Sequence, residues 1–145
     1  MICLIQRVSQ ASVTVNHETI GKISAGLLVL TAFKPDDNTD TLNKMTHKLL
    51  NYRVFADEND KMNLNIQQVK GELLIVPQFT LAANTKSGLR PSFSTSAAPA
   101  VATEWFDQFI EKLTEDYRRP QTGQFGADMQ VSLTNNGPVT FWLEN

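Results

Sequence analysis

Few side chains in this 145-residue sequence are equipped for covalent or acid–base chemistry. Its single cysteine, Cys3, lies in the apolar run Met1-Ile-Cys-Leu-Ile5, where a thiol is expected to be buried and inert. Its two histidines, His17 in a polar turn and His47 within a helical stretch, stand outside every motif. No His, Cys, Asp or Glu grouping has metal-ligand spacing, and Asp57-Glu-Asn-Asp60 lacks the ligand order and glycine of a calcium loop. That scarcity favours chemistry by positioning and main-chain donors over a nucleophile–base pair. Two stretches suit it. In Pro77-Gln-Phe-Thr-Leu81, proline ends regular strand pairing just before Phe79 and Thr80, freeing their amides to stabilise an oxyanion. Gln78 has an amide to orient a substrate, whereas the Thr80 hydroxyl needs an adjacent base and none is visible. In Asn135-Asn-Gly-Pro-Val-Thr140, Gly137 permits close approach to the backbone and Pro138 fixes φ. Only about 5–6% of X-Pro bonds are cis. Composition alone therefore favours an ordinary hairpin turn there, between strands 129–134 and 139–143.

The elements that must hold these stretches follow from periodicity. Residues 2–8 and 11–15 read as two strands, and Asn16-His-Glu-Thr19 turns into a third that ends near Ile23. Gly26-Leu-Leu-Val-Leu-Thr-Ala-Phe33 is a continuous apolar run, a strand buried on both faces. Leu42, Met45, Leu49 and Tyr52 predict a helix over 40–52. Val101, Trp105, Phe109 and Leu113 predict another over 100–117. Residues 53–56 and 63–66 flank the acidic turn, and 72–81 form a strand interrupted at Pro77. Residues 83–98 are a long polar loop carrying Lys86 and Arg90. The expected fold is α/β: a compact barrel-like or layered mixed β-sheet with two main helices, spanning 1–145 as one domain.

Composition narrows the function classes. Net charge is −2, so no general basic field draws the chain onto long nucleic acid or a membrane, although a nucleic-acid end is still compatible. One cysteine excludes an intramolecular disulfide and suits a reducing compartment. With no apolar run of transmembrane length and no signal-peptide layout, the cytoplasm is the expected location.

Pro77-Gln-Phe-Thr-Leu81 and Asn136-Gly-Pro-Val-Thr140 together resemble the signature motifs of the D-aminoacyl-tRNA deacylase family. Ile5-Gln-Arg-Val8, Ala11-Ser-Val-Thr-Val15, Gly26-Leu-Leu-Val-Leu30, Lys61-Met-Asn-Leu64, Arg90-Pro-Ser-Phe93 and Phe125-Gly-Ala-Asp-Met-Gln-Val-Ser-Leu133 extend the resemblance over essentially the whole chain. One departure stands out: the family's first motif usually opens with serine, and here Pro77 removes that hydroxyl and an N–H. The resemblance implies a homodimeric hydrolase without cofactor or metal. Such an enzyme cleaves D-amino acids, and mischarged glycine, from the terminal adenosine of tRNA. It further implies that Gly137–Pro138 is cis and enters the partner subunit's site, with Gln78, Phe79 and Thr80 at the chemistry. Arg7 is placed to brace the Gly-Pro segment, or else is a surface arginine. Met129 and Phe125 would line the adenosine pocket, or pack in the core. Lys86 and Arg90 would meet acceptor-end phosphates. Trp105 and Trp142 are assigned to core or subunit contact. The alternative is a noncatalytic dimer that holds a nucleotide or tRNA end, with Gly137-Pro138 as a plain turn.

Overall fold

The strand on which the rest is assembled is β1 (Ile2–Val15). In the computed structural model, which describes residues 1–86 and 88–145, β1 is continuous rather than the two strands expected. Its second half pairs antiparallel with β2 (Glu18–Ile23) and its first half with β3 (Gly26–Ala32). The turn between β1 and β2 places Asn16 and His17 at φ 49° and 67°. That is the geometry whose twist matches a two-residue hairpin. Next come helix α1 (Thr39–Asn51), the small ribbon β4 (Phe55–Ala56) with β5 (Met62–Leu64), and β6 (Glu72–Pro77). A 3-10 helix (Phe79–Ala82), helix α2 (Pro99–Asp116), β7 (Gln121–Thr122) and β8 (Gln130–Glu144) complete the chain. β6 lies parallel to β3 and β7 parallel to β6, giving the order β2-β1-β3-β6-β7, while β8 runs antiparallel along the other side of β1.

Alternation divides the sheet's side chains between two cores. Cys3, Ile5, Leu27, Val29, Leu73, Ile75, Val139 and Leu143 face the helices. Val8, Ala11, Val13, Leu28, Leu74 and Val76 face the other way and meet Ile23 of β2. A methyl on Gly21 of β2 would lie 2.8 Å from the Thr122 carbonyl oxygen of β7, so the two ends of the sheet nearly close into a barrel. The mixed barrel with two main helices is thus the fold the sequence led us to expect. Cys3 is sealed in the helix-facing core, and burial pushes its thiol up to about 12.

The helices keep their predicted positions with one shift of face. Asn38 caps α1: its side chain accepts from the Thr41 N–H while the Thr41 hydroxyl accepts from the Asn38 N–H. Pro99 opens α2 at a position where its missing N–H costs nothing. The buried stripe of α2 is Ala102, Phe106, Phe109, Ile110 and Leu113; Val101 is 43% exposed and Trp105 only half-buried.

The interruption expected at Pro77 is the end of the strand: pairing stops there and the chain then coils. One expectation is corrected. Residues 129–134 and 139–143 are not strands joined by a turn. They belong to the single long β8, and Gly137-Pro138 sits inside it, with a cis bond. β7 was not anticipated, being too short to carry a period.

Gly26 pairs with Glu72 where β3 and β6 begin, and a methyl there would lie 1.9 Å from the Glu72 carbonyl oxygen. Gly26→Ala must therefore pry the parallel strands apart. A loss of about 3 kcal/mol is expected, lowering Tm by roughly 6–12 °C in thermal unfolding.

Candidate functional site

Where β6 ends, the Gln78 N–H makes a last rung to the Thr31 carbonyl at 2.7 Å, and the 3-10 helix begins. The first amides of any helix lack internal acceptors. Here Leu81 donates to Gln78 O and Ala83 to Thr80 O, each at 3.2 Å. Among the described residues the Phe79 and Thr80 amides meet no acceptor. Gln78 Nε2 donates to Thr80 Oγ1 at 2.5 Å, so the threonine oxygen faces an amide donor and not a base. Regular pairing of β6 with β3 ends with Pro77 opposite Thr31 and the Gln78 rung beyond it, and the coil that follows leaves the two amides unused.

Two clefts flank Phe79. One, of about 250 Å³, is lined by Val76, Pro77, Gln78, Phe79, Met129 and Val131, with Gly126 and Ala127. The other, of about 200 Å³, lies between Phe79, Ala97, Pro99, Ala102 and Phe125. Pro77, Phe79 and Gly126 line both, so these three residues stand between the clefts. Phe125 meets Phe106 edge-on at 6.3 Å. Met129 accepts the Gln124 N–H at its sulfur, 3.4 Å away, and a methyl on Gly123 would sit 2.9 Å from that sulfur. The two residues expected to share one pocket thus line different clefts that meet at Phe79, Met129 in the first and Phe125 in the second. Neither cleft has an ionisable lining side chain. The displaced carboxylates lie elsewhere. Backbone N–H groups of Lys61 and Asn59 hold Asp57 low, and Lys34 then Trp142 hold Glu144 low.

A third cleft of about 660 Å³ opens on the far side of the 3-10 helix, bringing Lys86 and Lys34 together with Thr80 and Trp142. Paired hydrogen bonds tie Asn84 to Ser92 within the expected loop, and Lys86 and Arg90 are exposed. Trp142 is 49% exposed, with its Nε1 donating to Glu144 Oε2 at 3.1 Å, so it is not a core residue.

Gly137 and Pro138 are placed differently. β8 pairs Thr140 with Gln6 and Asn135 with Val8, so Asn136 to Val139 stand opposite Arg7 alone. Arg7 Nε donates to the Asn136 carbonyl at 2.8 Å and Nη1 to the Val54 carbonyl at 2.6 Å. Asn135 Oδ1 accepts the Val139 N–H at 2.8 Å, and Asn135 Nδ2 donates to Thr140 Oγ1 at 2.9 Å. These ties brace the bulge at both ends and push Gly137 and Pro138 outward, where both are exposed. Gly137 sits at φ 151°, and a methyl on it would lie 2.6 Å from Val139 Cγ2. Arg7 is therefore a brace, as one of its two readings held.

The braced segment and the amides do not meet within one chain. Arg7 is four residues along β1 from Cys3, and Cys3 pairs through Thr31 to Pro77. Strand rise and spacing put Gly137 about 20 Å from Gln78, three strands away. Sequence reasoning did not pick out Ala97, Pro99, Gly126 and Ala127, which line the clefts with small or apolar groups and carry no chemical signal.

The architecture is a nearly closed mixed barrel whose parallel strands end in unpaired amides over apolar clefts. Residues 4–144 match the family described as D-Tyr-tRNA(Tyr) deacylase, and the chain belongs to that family. A D-aminoacyl-tRNA deacylase of Hydrogenovibrio crunogenus is 63% identical over 148 residues, covering 99% of each chain. One from Haemophilus influenzae strain 86-028NP is 65% identical over 144 residues, again covering 99% of each. Among solved structures, c-Myc DNA Unwinding Element Binding Protein superposes with TM-score 0.96 at 38% identity, covering 100% of this chain and 99% of that one. A probable eukaryotic D-amino acid tRNA deacylase shares the fold, with TM-score 0.82 at 18% identity and coverage of 98% and 97%.

Arg7→Met removes both donors from the bulge and leaves two carbonyls short of a partner. A loss of about 1–3 kcal/mol is expected in denaturant unfolding. Arg7→Lys is expected to recover only part of it, since one ammonium cannot reproduce the planar fork.

Proposed function

We propose that this protein hydrolyses the ester of D-aminoacyl-tRNA, and of glycine mischarged onto tRNA, in the cytoplasm as a homodimer. The observation that carries the reading is the pair of free amides at Phe79 and Thr80, beside apolar clefts in a chain of this family. Water adds to the ester carbonyl, and the developing oxyanion is received by those amides. Each such donor is worth about 10²–10³ in rate. The bond from acyl carbon to O3′ then breaks, and O3′ takes a proton relayed from the attacking water through the adjacent 2′-hydroxyl. Free amino acid and tRNA leave. An activated ester needs no stronger group, which agrees with clefts that lack an ionisable side chain. Gln78 orients the substrate, Met129 and Phe125 hold the terminal adenosine, and Lys86 and Arg90 reach its neighbouring phosphates.

The second copy supplies the chiral filter. Leu4, Gln6, Leu30, Thr140 and Trp142 share the sheet face opposite the helices and are at most partly buried, while among the described residues the outer edge of β8 pairs with no other strand. A two-fold dimer across this face brings the partner's Gly137 and Pro138 to the cleft at Phe79, spanning the distance that separates them within one chain. D and L esters differ in which substituent on Cα points toward that backbone. A side-chain wall can rotate aside, whereas a braced main-chain wall cannot. Rejecting the L ester a thousandfold requires about 4 kcal/mol, within reach of such a clash. Glycine offers no side chain to clash and passes.

Purified protein is expected to release D-tyrosine from D-tyrosyl-tRNA and to spare the L ester, followed by retention of radiolabel on tRNA. Absence of release by folded protein would leave a binding module. Thr80→Ala is expected to keep hydrolysis within about tenfold of wild type, since the hydroxyl has no base to activate it. A near-total loss with substrate affinity intact would make Thr80 the nucleophile.

A further inference from the structure

Phe93 lies between the Asn84–Ser92 bridge and α2, and nothing in the chemistry above uses it. Its ring is tilted against that of Phe79, with centroids 5.1 Å apart and planes at 52°. Other ties run beside it. Ser92 and Asn84 exchange backbone hydrogen bonds of 2.7 and 3.2 Å, Thr95 Oγ1 donates to the Ala82 carbonyl at 2.5 Å, and the Ala97 N–H donates to the Phe33 carbonyl at 3.0 Å. Residues 92–97 are thus a strap, fastened at each end. It touches the first residue of the 3-10 helix through Phe93 and the last through Thr95.

Burial does not account for the arrangement, since Phe79 is 54% exposed and Phe93 is 42% exposed. Position does. The Phe79 amide makes no hydrogen bond among the described residues. Its main chain is held only by the Gln78 rung before it and the turn bonds after it. The ring is the remaining handle on Phe79, and Phe93 holds it. Phe93 does not line either cleft beside Phe79.

We propose that Phe93 and Thr95 are positioning residues for the deacylation: they fix the 3-10 helix so that the Phe79 amide points at the ester, and neither touches substrate. This rests on the deacylase reading. Misplacing such a group by about 1 Å costs on the order of a hundredfold in rate, so slackening the strap acts on turnover and not on binding.

The test measures kcat and KM for D-tyrosyl-tRNA with wild type, Phe93→Leu, Phe93→Tyr, Thr95→Val and Thr95→Ser, alongside thermal unfolding. Phe93→Leu and Thr95→Val are expected to lower kcat about tenfold with KM within about twofold, while Phe93→Tyr and Thr95→Ser stay near wild type. All four are expected to unfold at nearly the wild-type temperature. Unchanged kcat in both Phe93→Leu and Thr95→Val overturns the proposal. So does a rise in KM alone, which would make the strap a substrate contact, and so does an equal loss in the conservative pair. Should Phe93→Leu fail to fold, Thr95→Val against Thr95→Ser decides alone. If wild type itself releases no D-tyrosine, the deacylase reading falls and takes this proposal with it; an active wild type with indifferent variants removes this proposal only.

Discussion

Four residues of β8 must be accommodated opposite one residue of β1. Antiparallel pairing resumes on both sides of that mismatch, so the surplus chain has nowhere to go but outward. Arg7 fastens it to the Val54 carbonyl from one side, and Asn135 fastens it from within the strand. A main chain held by ladders at both ends and by an arginine fork in the middle is among the least compliant surfaces a small protein can present. The exposed position of Gly137 and Pro138, their separation from Gln78 in the same chain, and the open sheet face around Trp142 follow from where β8 lies. The chiral filter and the dimer proposed above both rest on that one strand's register.

The other half of the site is made by an ending and not by a bulge. Parallel pairing of β6 with β3 stops at Pro77, and the turn that follows leaves adjacent amides without acceptors. The proposed reaction needs no charged group of the protein, because an aminoacyl ester is activated and its ribose carries a hydroxyl beside the scissile bond. The work left to the protein is to hold donors still, which amides on a short turn between two clefts can do.

The buried strand at Gly26, the capped helix at Thr39 and the end of the ladder at Pro77 were legible because local patterns decide them. β8 was not. Asn135-Asn-Gly-Pro has the composition of a hairpin turn, and only its pairing with β1, more than a hundred residues away, makes it a bulge in a continuous strand. The stripe drawn through Val101, Trp105, Phe109 and Leu113 found the buried face of α2 at Phe109 and Leu113 but missed it by one position in the first turns, where Ala102 and Phe106 are buried instead. Gln78, Phe79, Thr80, Met129 and Phe125 were found through motif likeness; Gln78, Phe79 and Met129 line one cleft, Phe125 lines the neighbouring one with Phe79, and Thr80 lines the third. Ala97, Gly126 and Phe93 were passed over, since a residue that lines or braces a cleft carries no chemical mark in the sequence.

The claim on which the account stands is that a working site takes its amides from one chain and its rigid backbone from another. Mixing subunits tests this without any structure of the complex. A chain with Gly137→Ala keeps its amides and loses the filter segment; a chain with Phe79→Pro loses an amide where proline is sterically tolerated and keeps the segment. Each homodimer is expected to be inactive on D-tyrosyl-tRNA; in Gly137→Ala the added methyl, 2.6 Å from Val139 Cγ2, forces the segment out of its braced place and against the D ester itself. After unfolding and refolding together, random pairing makes half of the dimers mixed, each with one intact site, so about a quarter of wild-type activity should return. If the mixture stays as inactive as its components while mixed dimers are shown to form, both halves of the site belong to the same chain and the account is wrong.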